Sequence, residues 1–452
     1  MKIIIVGCGK VGQKLAEQLS QEENQNITVI DLKHSIVQDL INKYDLMGVA
    51  GSGASINTLT EAGIEDADLL IAVTGSDELN LLTCLIAKKT GGCQTIARVR
   101  NPEYRKEMRL IYEDLGLALI INPEQAAADE MARVLKFPSA IKIDRFAKGR
   151  IEILKFKIPD GSILENMAVC NIPSKLNTDM LLCGVERGEE AFIPNGNFIL
   201  RSGDIISIIA HPKEVTDLFK TIGLKTNRVK NTIIVGGGET GYYLAKNLLK
   251  SGISVKIIDR DEERCDKLCQ LLPKATIICA DGTDSNVLLE EGLSTVESLV
   301  ALTNIDEENI LLSLFAKSKS NAKIITKINR IDYNEVISNL ELDSIVYPKN
   351  ITADNIVHFV RSKINSIDSN IETMHKILDG KAEALEFLIG EDSPIANIPL
   401  GHLKLIESAL VACINRNGKV IIPRGKDCIL PGDTVIIITT KTGLNDISDI
   451  IE

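Results

Sequence analysis

The sequence predicts an α/β fold of two doubly wound parallel Rossmann domains, each followed by a small β-rich domain of the α+β class. Three observations predict it: a strand, glycine turn, helix and strand at the N-terminus, a copy of that segment 229 positions later, and short alternating strands after each copy. A period of this length indicates duplicated domains, because solenoid repeats are much shorter. The expected domains are 1–140, 141–228, 229–365 and 366–452, with linkers near 140–150, 225–231 and 365–380.

The N-terminal segment MKIIIVGCGKVGQKLAEQL, followed by NITVID, carries the dinucleotide-binding fingerprint. Gly7 permits a tight turn, Gly9 lets the backbone approach a pyrophosphate, and Gly12 lets helix and strand pack closely. The helix N-terminus then faces the phosphates with free N–H groups. Asp31 ends the second strand, where its carboxylate can accept hydrogen bonds from ribose hydroxyls. We therefore predict a nucleotide site that includes Asp31 and the whole turn, Gly7, Cys8, Gly9, Lys10, Val11 and Gly12.

The rest of the first Rossmann domain alternates strand and helix patterns, as a doubly wound sheet requires. Helices are expected at 35–44, 56–62, 81–89 and 102–115, and strands at 46–50, 67–74, 95–100 and 117–124. From about Ile151 the pattern changes to short alternating strands with turns, which predicts the β-rich domain.

The second half of the chain repeats the first. Its glycine turn, in NTIIVGGGETG, consists of Gly236, Gly238, Glu239, Thr240 and Gly241. Asp259 corresponds to Asp31 and Thr303 to Thr74. The segment at 421–438 likewise repeats the turn and strand pattern at 192–209. The repetition predicts a second nucleotide site and a second β-rich domain.

Bulk composition excludes several classes of protein. The chain has 452 residues, which at about 150 residues per domain suggests two to four domains. A net charge of −11 argues against nucleic acid as a partner and against direct docking on anionic lipid. There is no apolar run of membrane-spanning length, and the chain begins directly with a core strand, so we expect a cytoplasmic protein without its own lipid anchor.

Ten cysteines are present, mostly within apolar patterns such as those of Cys84, Cys170, Cys279 and Cys413, which is typical of a reduced cytosolic chain. Cys265 and Cys269 are four positions apart on one predicted helix, but no matching histidine or cysteine cluster accompanies them. We therefore predict no metal site.

No catalytic residue is predicted. The five histidines, His34, His211, His358, His375 and His402, show no spacing typical of a dyad, and none recurs at the repeat offset. Hydride transfer would require an acid or base beside the nicotinamide, so the histidines are interpreted as surface or capping residues.

Two arginines are candidates for phosphate binding. Arg98 and Arg100 alternate with apolar residues in IARVR, so both are expected on one face at the carboxyl end of the sheet. Their planar guanidinium groups can bind phosphate bidentately, although surface salt bridges remain an alternative. The corresponding residues of the second half are Lys327 and Asn329, which predicts that the second site has lost phosphate-binding charge.

Acidic pairs follow the fourth strand of each Rossmann domain. They are Asp77 with Glu78, and Asp306 with Glu307. We expect them to cap the following helices, in preference to binding a cation.

The motifs GCGKVG, VID, AVTGSDELN, IARVRNPEY and INPE, together with the repeat across the whole chain, resemble the TrkA family. These proteins are the cytoplasmic regulatory subunits of bacterial and archaeal Trk potassium uptake systems, and their domain pair resembles the RCK module of potassium channels. The resemblance implies that NAD(H) and ATP or ADP bind the Rossmann domains. It also implies a homo-oligomeric ring, a tetramer, bound peripherally beneath an integral-membrane pore subunit whose potassium flux it regulates.

The resemblance also implies roles for particular residues. It places Gly51, Ser52 and Thr74 around the adenosine of the first site, and Arg98 and Arg100 near the terminal phosphates of ATP. Ser52 departs from the acidic residue that many RCK domains carry after this glycine. For the second site the resemblance implies Gly236, Gly238, Gly241, Asp259, Asp281 and Thr303, and Asp281 retains the acidic residue.

Three functions therefore remain open from the sequence. The first is a non-enzymatic regulator whose ligands shift a conformational equilibrium. The second is an NAD-dependent oxidoreductase. The third is a sensor of another adenosyl ligand such as S-adenosylmethionine, since a glycine turn and an acidic ribose ligand suit that molecule too.

Overall fold

A computed structural model describes most of the chain. The described residues are 1–21, 25–101, 104, 116–136, 139–146, 151–176, 180–188, 190–210, 212–224, 229–330, 336–337, 340, 342–368, 371–378, 381–391, 393–406, 408–441, 444 and 446–451. They form two compact units, one of residues 1–132 with 230–357 and the other of residues 133–229 with 358–452. Each unit is thus built from both halves of the sequence.

The first Rossmann domain follows the expected alternation of strands and helices. Its elements are β1 (Lys2–Val6), α1 (Lys10–Leu19), β2 (Asn26–Asp31), α2 (His34–Lys43), β3 (Met47–Ala50), α3 (Ile56–Glu61), β4 (Leu69–Ala72), α4 (Asp77–Thr90), β5 (Gln94–Arg98), β6 (Leu117–Ile121) and α5 (Pro123–Lys136). The six strands are parallel, in the order β3-β2-β1-β4-β5-β6. Strand β4 is completely buried, which explains its continuous apolar sequence.

Several ends of elements differ from the predicted ones. Helix α4 begins at Asp77, four residues earlier than expected, because the Ser76 side chain accepts a hydrogen bond from the Leu79 N–H and caps it. Strand β5 ends at Arg98 and β6 ends at Ile121, since α5 begins at Pro123. The helix expected at 102–115 falls outside the described residues except for Tyr104.

The first β-rich domain consists of β7 (Lys142–Phe146), β8 (Ile151–Lys157), α6 (Ile172–Leu176), β9 (Met180–Arg187), β10 (Glu190–Phe192), β11 (Ile205–Ala210) and α7 (Pro212–Thr221). Its sheet has the order β10-β9-β11-β8-β7 and is antiparallel. The predicted linker near 140–150 is wrong, because β7 pairs with β8 from Lys142 opposite Lys155 to Phe146 opposite Ile151.

The second Rossmann domain repeats the first. Its elements are β12 (Asn231–Val235), α8 (Glu239–Lys250), β13 (Ser254–Asp259), α9 (Glu262–Leu271), β14 (Thr276–Cys279), α10 (Ser285–Glu290), β15 (Ser298–Ala301), α11 (Asp306–Lys319), β16 (Lys323–Lys327), β17 (Ser344–Val346) and α12 (Pro348–Asp368). The strand order β14-β13-β12-β15-β16-β17 matches that of the first sheet.

The second β-rich domain contains β18 (Ile371–Ile377), β19 (Ala382–Leu388), β20 (Ala409–Arg416), β21 (Lys419–Ile421) and β22 (Thr434–Thr439), in the order β18-β19-β22-β20-β21. The predicted linker near 365–380 is also wrong, since α12 runs to Asp368 and β18 pairs with β19. The two β-rich domains share an apolar core to which Ile153, Cys183, Leu378 and Cys413 contribute. The fold class predicted from the sequence is confirmed.

All ten cysteines are free thiols. Cys84 and Cys413 are buried as the apolar pattern predicted, whereas Cys170 and Cys279 are exposed, so that prediction was wrong for both. Among the described helices, none combines the length and the apolar character needed to cross a bilayer.

Candidate nucleotide sites

The three glycines of the first turn have different environments. Gly7 has a φ of +96°, which favours glycine, and a Cβ at Gly12 would overlap the carbonyl oxygen of Gly7. A Cβ at Gly9, in contrast, would meet no protein atom within 4 Å. The fold therefore requires Gly7 and Gly12, whereas Gly9 leaves an open surface over the N-terminus of α1.

Asp31 lies directly beside this turn. Its Oδ2 accepts a hydrogen bond from the Cys8 N–H at 2.8 Å, and its Oδ1 accepts one from the Lys33 N–H at 2.9 Å. Each carboxylate oxygen can accept further hydrogen bonds. The carboxylate is thus held in place by the backbone and can still accept hydrogen bonds from ribose hydroxyls.

The second turn has the same construction. Gly236 has a φ of +110°, a Cβ at Gly241 would overlap the Gly236 carbonyl oxygen, and a Cβ at Gly238 would meet nothing within 4 Å. Asp259 accepts hydrogen bonds from the Gly237 N–H at 2.6 Å and the Asp261 N–H at 3.0 Å. In addition, the Arg264 guanidinium lies 3.3 Å from the Asp259 carboxylate.

The residues assigned to the adenosine lie at the ends of the neighbouring strands. The Gly51 N–H donates to the Asp31 carbonyl oxygen at 2.9 Å, and the Ser52 hydroxyl accepts from the Ala54 N–H. Asp281, in the position of Ser52, accepts from the N–H and the hydroxyl of Thr283. The Thr283 hydroxyl lowers the pKa of the Asp281 carboxyl, so this side chain is an anion at neutral pH.

Sequence reasoning missed a buried asparagine in each site. Asn80 is 0% exposed; its amide oxygen accepts from the Thr74 N–H at 2.8 Å and its amide nitrogen donates to the Arg98 carbonyl at 2.9 Å. Asn309 binds Thr303 and Lys327 in the same way, at 2.8 and 3.0 Å. Each asparagine ties together the ends of two strands that border the site. The recurrence of Asn80 as Asn309, 229 positions later, was the feature of the sequence that could have identified this residue.

The acidic residues Asp77 and Asp306 do not cap helices, so that prediction was wrong. Asp77 accepts hydrogen bonds from the N–H groups of Arg100 and Asn101, both at 2.8 Å. Asp306 accepts from the N–H groups of Asn329 and Arg330. These carboxylates fix the segments that follow β5 and β16. The cap of α4 is Ser76, whose hydroxyl also donates to Glu78, and α11 has no side-chain cap.

Arg98 and Arg100 both have protein partners. Arg98 Nη2 lies 3.7 Å from Glu124, and Arg100 Nε lies 3.5 Å from Asp77, while Arg100 Nη2 donates to the Gly75 carbonyl. Burial lowers the pKa of Arg98 and raises that of Glu124, and the charge of each partner opposes this shift. Both ion pairs are long. They are therefore weak contacts that a phosphate could replace.

A cavity of about 660 Å³ lies over the second glycine turn. It brings together all the residues expected of the second site: Gly236, Gly238, Glu239, Thr240, Gly241, Asp259, Asp281 and Thr303. The first Rossmann domain contributes three side chains to the same cavity, Lys10, Arg100 and Glu124. The second site is therefore built from both Rossmann domains.

At the two positions that correspond to Arg98 and Arg100, Lys327 keeps a positive charge and Asn329 does not, but other cationic side chains also reach the second cavity. Five cationic side chains line the cavity, namely Lys10, Arg100, Arg260, Arg264 and Lys327, together with six carboxylates, Glu124, Glu239, Asp259, Asp261, Asp281 and Glu308. Lys327 is 6% exposed and donates to the Leu302 carbonyl at 3.0 Å. Burial lowers its pKa to about 8, although Asp306 and Glu124 favour its charged form. Most of the cationic groups come from positions that do not correspond to Arg98 and Arg100.

In the part of the chain that the structure describes, no group of three or more histidine, cysteine, aspartate or glutamate side chains is arranged to hold a metal ion. Cys265 is buried and donates to the Asp259 carbonyl oxygen, while Cys269 is exposed. The second cavity is a cleft lined by cationic, acidic and hydrogen-bonding groups.

These sheets and paired glycine turns define a class of proteins with duplicated Rossmann domains, each joined to a small antiparallel domain. The chain belongs to the TrkA family. The TrkA-N domain matches residues 3–123 and 232–348, and the TrkA-C domain matches residues 153–223 and 384–452.

Curated relatives agree with this assignment over nearly the whole chain. The Trk system potassium uptake protein TrkA homolog 1 of Methanosarcina mazei is 31% identical over 455 aligned positions, which cover 99% of both chains. The Trk system potassium uptake protein TrkA of Haemophilus influenzae is 32% identical, over 97% of this chain and 95% of its own.

Solved structures share the fold. The GsuK channel bound to NAD has a TM-score of 0.63 at 17% identity, covering 97% of this chain and 77% of its own. The GsuK RCK domain has the same TM-score and identity and is covered to 92%. The tandem RCK architecture implied by the sequence is therefore confirmed.

Proposed function

We propose that this chain is a nucleotide-binding regulatory subunit of a potassium uptake system and that its Rossmann domains bind NAD(H) and ATP or ADP. The observation that carries the proposal is the open space at Gly9 and at Gly238, each beside a carboxylate that already accepts a hydrogen bond from its turn. No protein atom requires glycine at these positions. A group from outside the protein that approaches the backbone closely would require it.

For the second site we propose NAD(H). The diphosphate would lie on the N–H groups at the start of α8, where the helix dipole favours an anion. Asp259 would accept hydrogen bonds from the ribose, and Asp281 and Thr303 would border the rest of the cavity. The GsuK structures that share this fold include one bound to NAD and one bound to ADP, which supports both classes of ligand.

For the first site we propose ATP or ADP. Asp31, Gly51, Ser52 and Thr74 lie at the ends of neighbouring strands, where ligands of doubly wound sheets bind. The long ion pairs of Arg98 and Arg100 would be exchanged for stronger contacts with a terminal phosphate. ATP has one more phosphate than ADP and would use these guanidinium groups more fully.

The ligands would act by shifting a conformational equilibrium, because a nucleotide changes the populations only if it binds one conformation more tightly. A tenfold preference at one site supplies about 1.4 kcal/mol, and several sites in a tetrameric ring would add to this bias. The relatives are named as potassium uptake proteins. We therefore propose that the ring lies at the cytoplasmic face of the membrane and regulates an integral-membrane pore subunit.

The experiment that tests this function is potassium uptake by cells that contain the pore subunit, with and without this chain. We expect uptake to depend on the chain and to change when Gly9→Ala and Gly238→Ala are introduced together. Gly390→Ala is the matched control, because its Cβ would also meet nothing within 4 Å and it belongs to the second β-rich domain, not to the compact unit that contains both turns. Uptake that ignores both the chain and the paired substitution would contradict the proposal.

An NAD-dependent oxidoreductase is the second candidate, and one observation favours it. Lys327 lines the second cavity and its pKa of about 8 lies near the range of proton-transferring lysines. Its ammonium group, however, donates to a backbone carbonyl, and the corresponding residue of the first domain is an arginine. The oxidoreductase would be established if the chain oxidised NADH with 2-oxo acids or aldehydes and Lys327→Met abolished this reaction. Displacement of NADH by S-adenosylmethionine would favour the adenosyl sensor.

A further inference from the structure

Two cationic residues of the proposed first site also line the second cavity. Lys10 directly follows Gly9 in the first glycine turn, and Arg100 follows the end of β5. Both residues belong to the first Rossmann domain, yet both border the cavity over the second glycine turn. A ligand in the second cavity would therefore lie near two charges that the proposed function also assigns to the first site.

The Lys10 ammonium has no hydrogen bond or ion pair with the residues that the structure describes. Burial lowers the pKa of this ammonium group; among its neighbours in the second Rossmann domain, Asp306 favours the charged form, and Arg330 and Lys349 oppose it. This side chain is therefore available to an anionic ligand.

Arg100 is fixed at its backbone and less firmly held at its side chain. Its carbonyl oxygen accepts hydrogen bonds from the Tyr243 hydroxyl at 3.0 Å and the Asn122 amide at 2.9 Å, and its N–H donates to Asp77. Tyr243 belongs to α8, the helix that begins at the second glycine turn. The guanidinium group of Arg100 donates to the Gly75 carbonyl oxygen and makes a long contact with the Asp77 carboxylate. The helix that begins at the second turn is thus hydrogen-bonded, through Tyr243, to Arg100 of the proposed first site.

The second domain has no cation at the positions that correspond to Lys10 and Arg100. Glu239 occupies the position of Lys10 and Asn329 that of Arg100, and both line the same cavity. At these two pairs of positions, therefore, the first domain contributes a cation each time, whereas the second domain contributes a carboxylate and an amide.

We propose that ligands in the two sites compete for Lys10 and Arg100, so that a nucleotide triphosphate in the first site weakens nucleotide binding in the second. This inference rests on the proposed function, because it requires both sites to bind nucleotides. A guanidinium or ammonium group that neutralises a phosphate of one ligand is less available to the other. Linkage then requires that the second ligand weakens binding of the first by the same factor.

The test is titration of the full-length chain with NADH, followed by its fluorescence, with and without saturating ATP. Asp259→Ala identifies the part of the signal that belongs to the second site, and Asp31→Ala removes the first site. We expect ATP to raise the dissociation constant of the second site for NADH by about tenfold, within the usual range of coupling between sites. In Asp31→Ala this effect of ATP disappears.

Lys10→Met tests the shared cation itself. In the Asp31→Ala background, where only the second site remains, Lys10→Met is expected to weaken NADH binding severalfold; in the otherwise unchanged chain it is expected to reduce the effect of ATP. Lys14→Met is the matched control, because Lys14 lies on the same helix and pairs with Glu17. Arg100→Met provides a second variant with the same expected direction.

Two results separate the inference from the proposed function. If NADH and ATP both bind but ATP leaves the second-site dissociation constant unchanged or lowers it, competition is overturned and nucleotide regulation stands. The same conclusion follows if Lys10→Met and Lys14→Met behave alike. If neither nucleotide binds the unmodified chain, both the inference and the proposed function fail.

Discussion

At the scale of single residues, the second cavity depends on a buried lysine. Lys327 is charged below its pKa of about 8, and burial is the main reason for the low value. An anionic ligand binds the charged form better, so affinity is present below pH 8 and is lost as the pH rises through it.

We therefore predict that the NADH dissociation constant of the second site rises by roughly three- to tenfold between about pH 7 and 9, since loss of one proton changes affinity at most tenfold per pH unit. Lys327→Met should bind more weakly at neutral pH and lose this pH dependence. Lys323→Met is the control: burial also lowers the Lys323 pKa to about 8, but this residue does not line the cavity. An unchanged pH profile in Lys327→Met would contradict the prediction.

Loss of the Lys327 proton as the pH rises weakens ligand binding but increases the stability of the folded chain. In the unfolded chain a lysine keeps its proton up to about pH 10.4, whereas Lys327 in the folded chain loses it near pH 8. Between these values the unfolded state binds more protons, so Lys327 contributes a rise in the free energy of unfolding with pH. Burial of the charged lysine therefore lowers the free energy of unfolding. Its position in the lining of the cavity gives a reason for a charge at this place.

At the scale of secondary-structure elements, the contact between α1 and β1 separates two uses of glycine. Gly12 lies within α1 against the Gly7 carbonyl, whereas Gly9 precedes the helix with an ordinary extended backbone, φ −71° and ψ −167°. Packing within the fold therefore excludes a larger side chain at position 12. At position 9 only the close approach of a ligand would exclude one.

We predict that Gly12→Ala lowers the free energy of unfolding by about 1–3 kcal/mol, as overpacking commonly does. Gly9→Ala should leave it within about 0.5 kcal/mol, as at an unrestricted surface position, and should instead weaken nucleotide binding at the first site. Denaturant unfolding and nucleotide titration of both variants measure the two effects. Full affinity in Gly9→Ala would show that no diphosphate approaches this backbone.

At the scale of the whole molecule, each compact unit combines both halves of the sequence. In the second unit the β-rich domains meet in a common apolar core. A Cβ at Gly184 would lie 2.6 Å from a methyl group of Leu378, which is 3% exposed and has a φ of +51°. Gly184 thus permits a strand of one domain to approach a turn of the other.

We predict that Gly184→Val destabilises the chain by about 1–3 kcal/mol through overpacking, whereas Gly390→Val, in open space, changes stability by less than about 0.5 kcal/mol. Leu378→Ala removes the obstructing side chain, so the double variant should be more stable than the sum of the single effects by over about 0.5 kcal/mol. Additive effects would indicate that these residues do not pack together.

The repeated fold could be predicted because its signals are local. Apolar runs, the glycine turns and the acidic strand ends lie within about thirty positions in each copy, and duplication doubled the evidence. The strands β7 and β18 were missed because each is stabilised by pairing with the following strand rather than by a strong pattern of its own. The assignment of single residues to ligands remains a prediction.

The sequence by itself determined the two glycine turns, their acidic partners and the fold class, because short-range sterics and hydrophobic periodicity specify them. Only the tertiary structure decided which charges surround the second cavity. Lys10 and Arg100 come from the first Rossmann domain, far along the chain from Gly236, and no comparison of corresponding positions could place them there. Electrostatic interactions depend on distance in space, so the character of the second site is a property of the packed pair of domains.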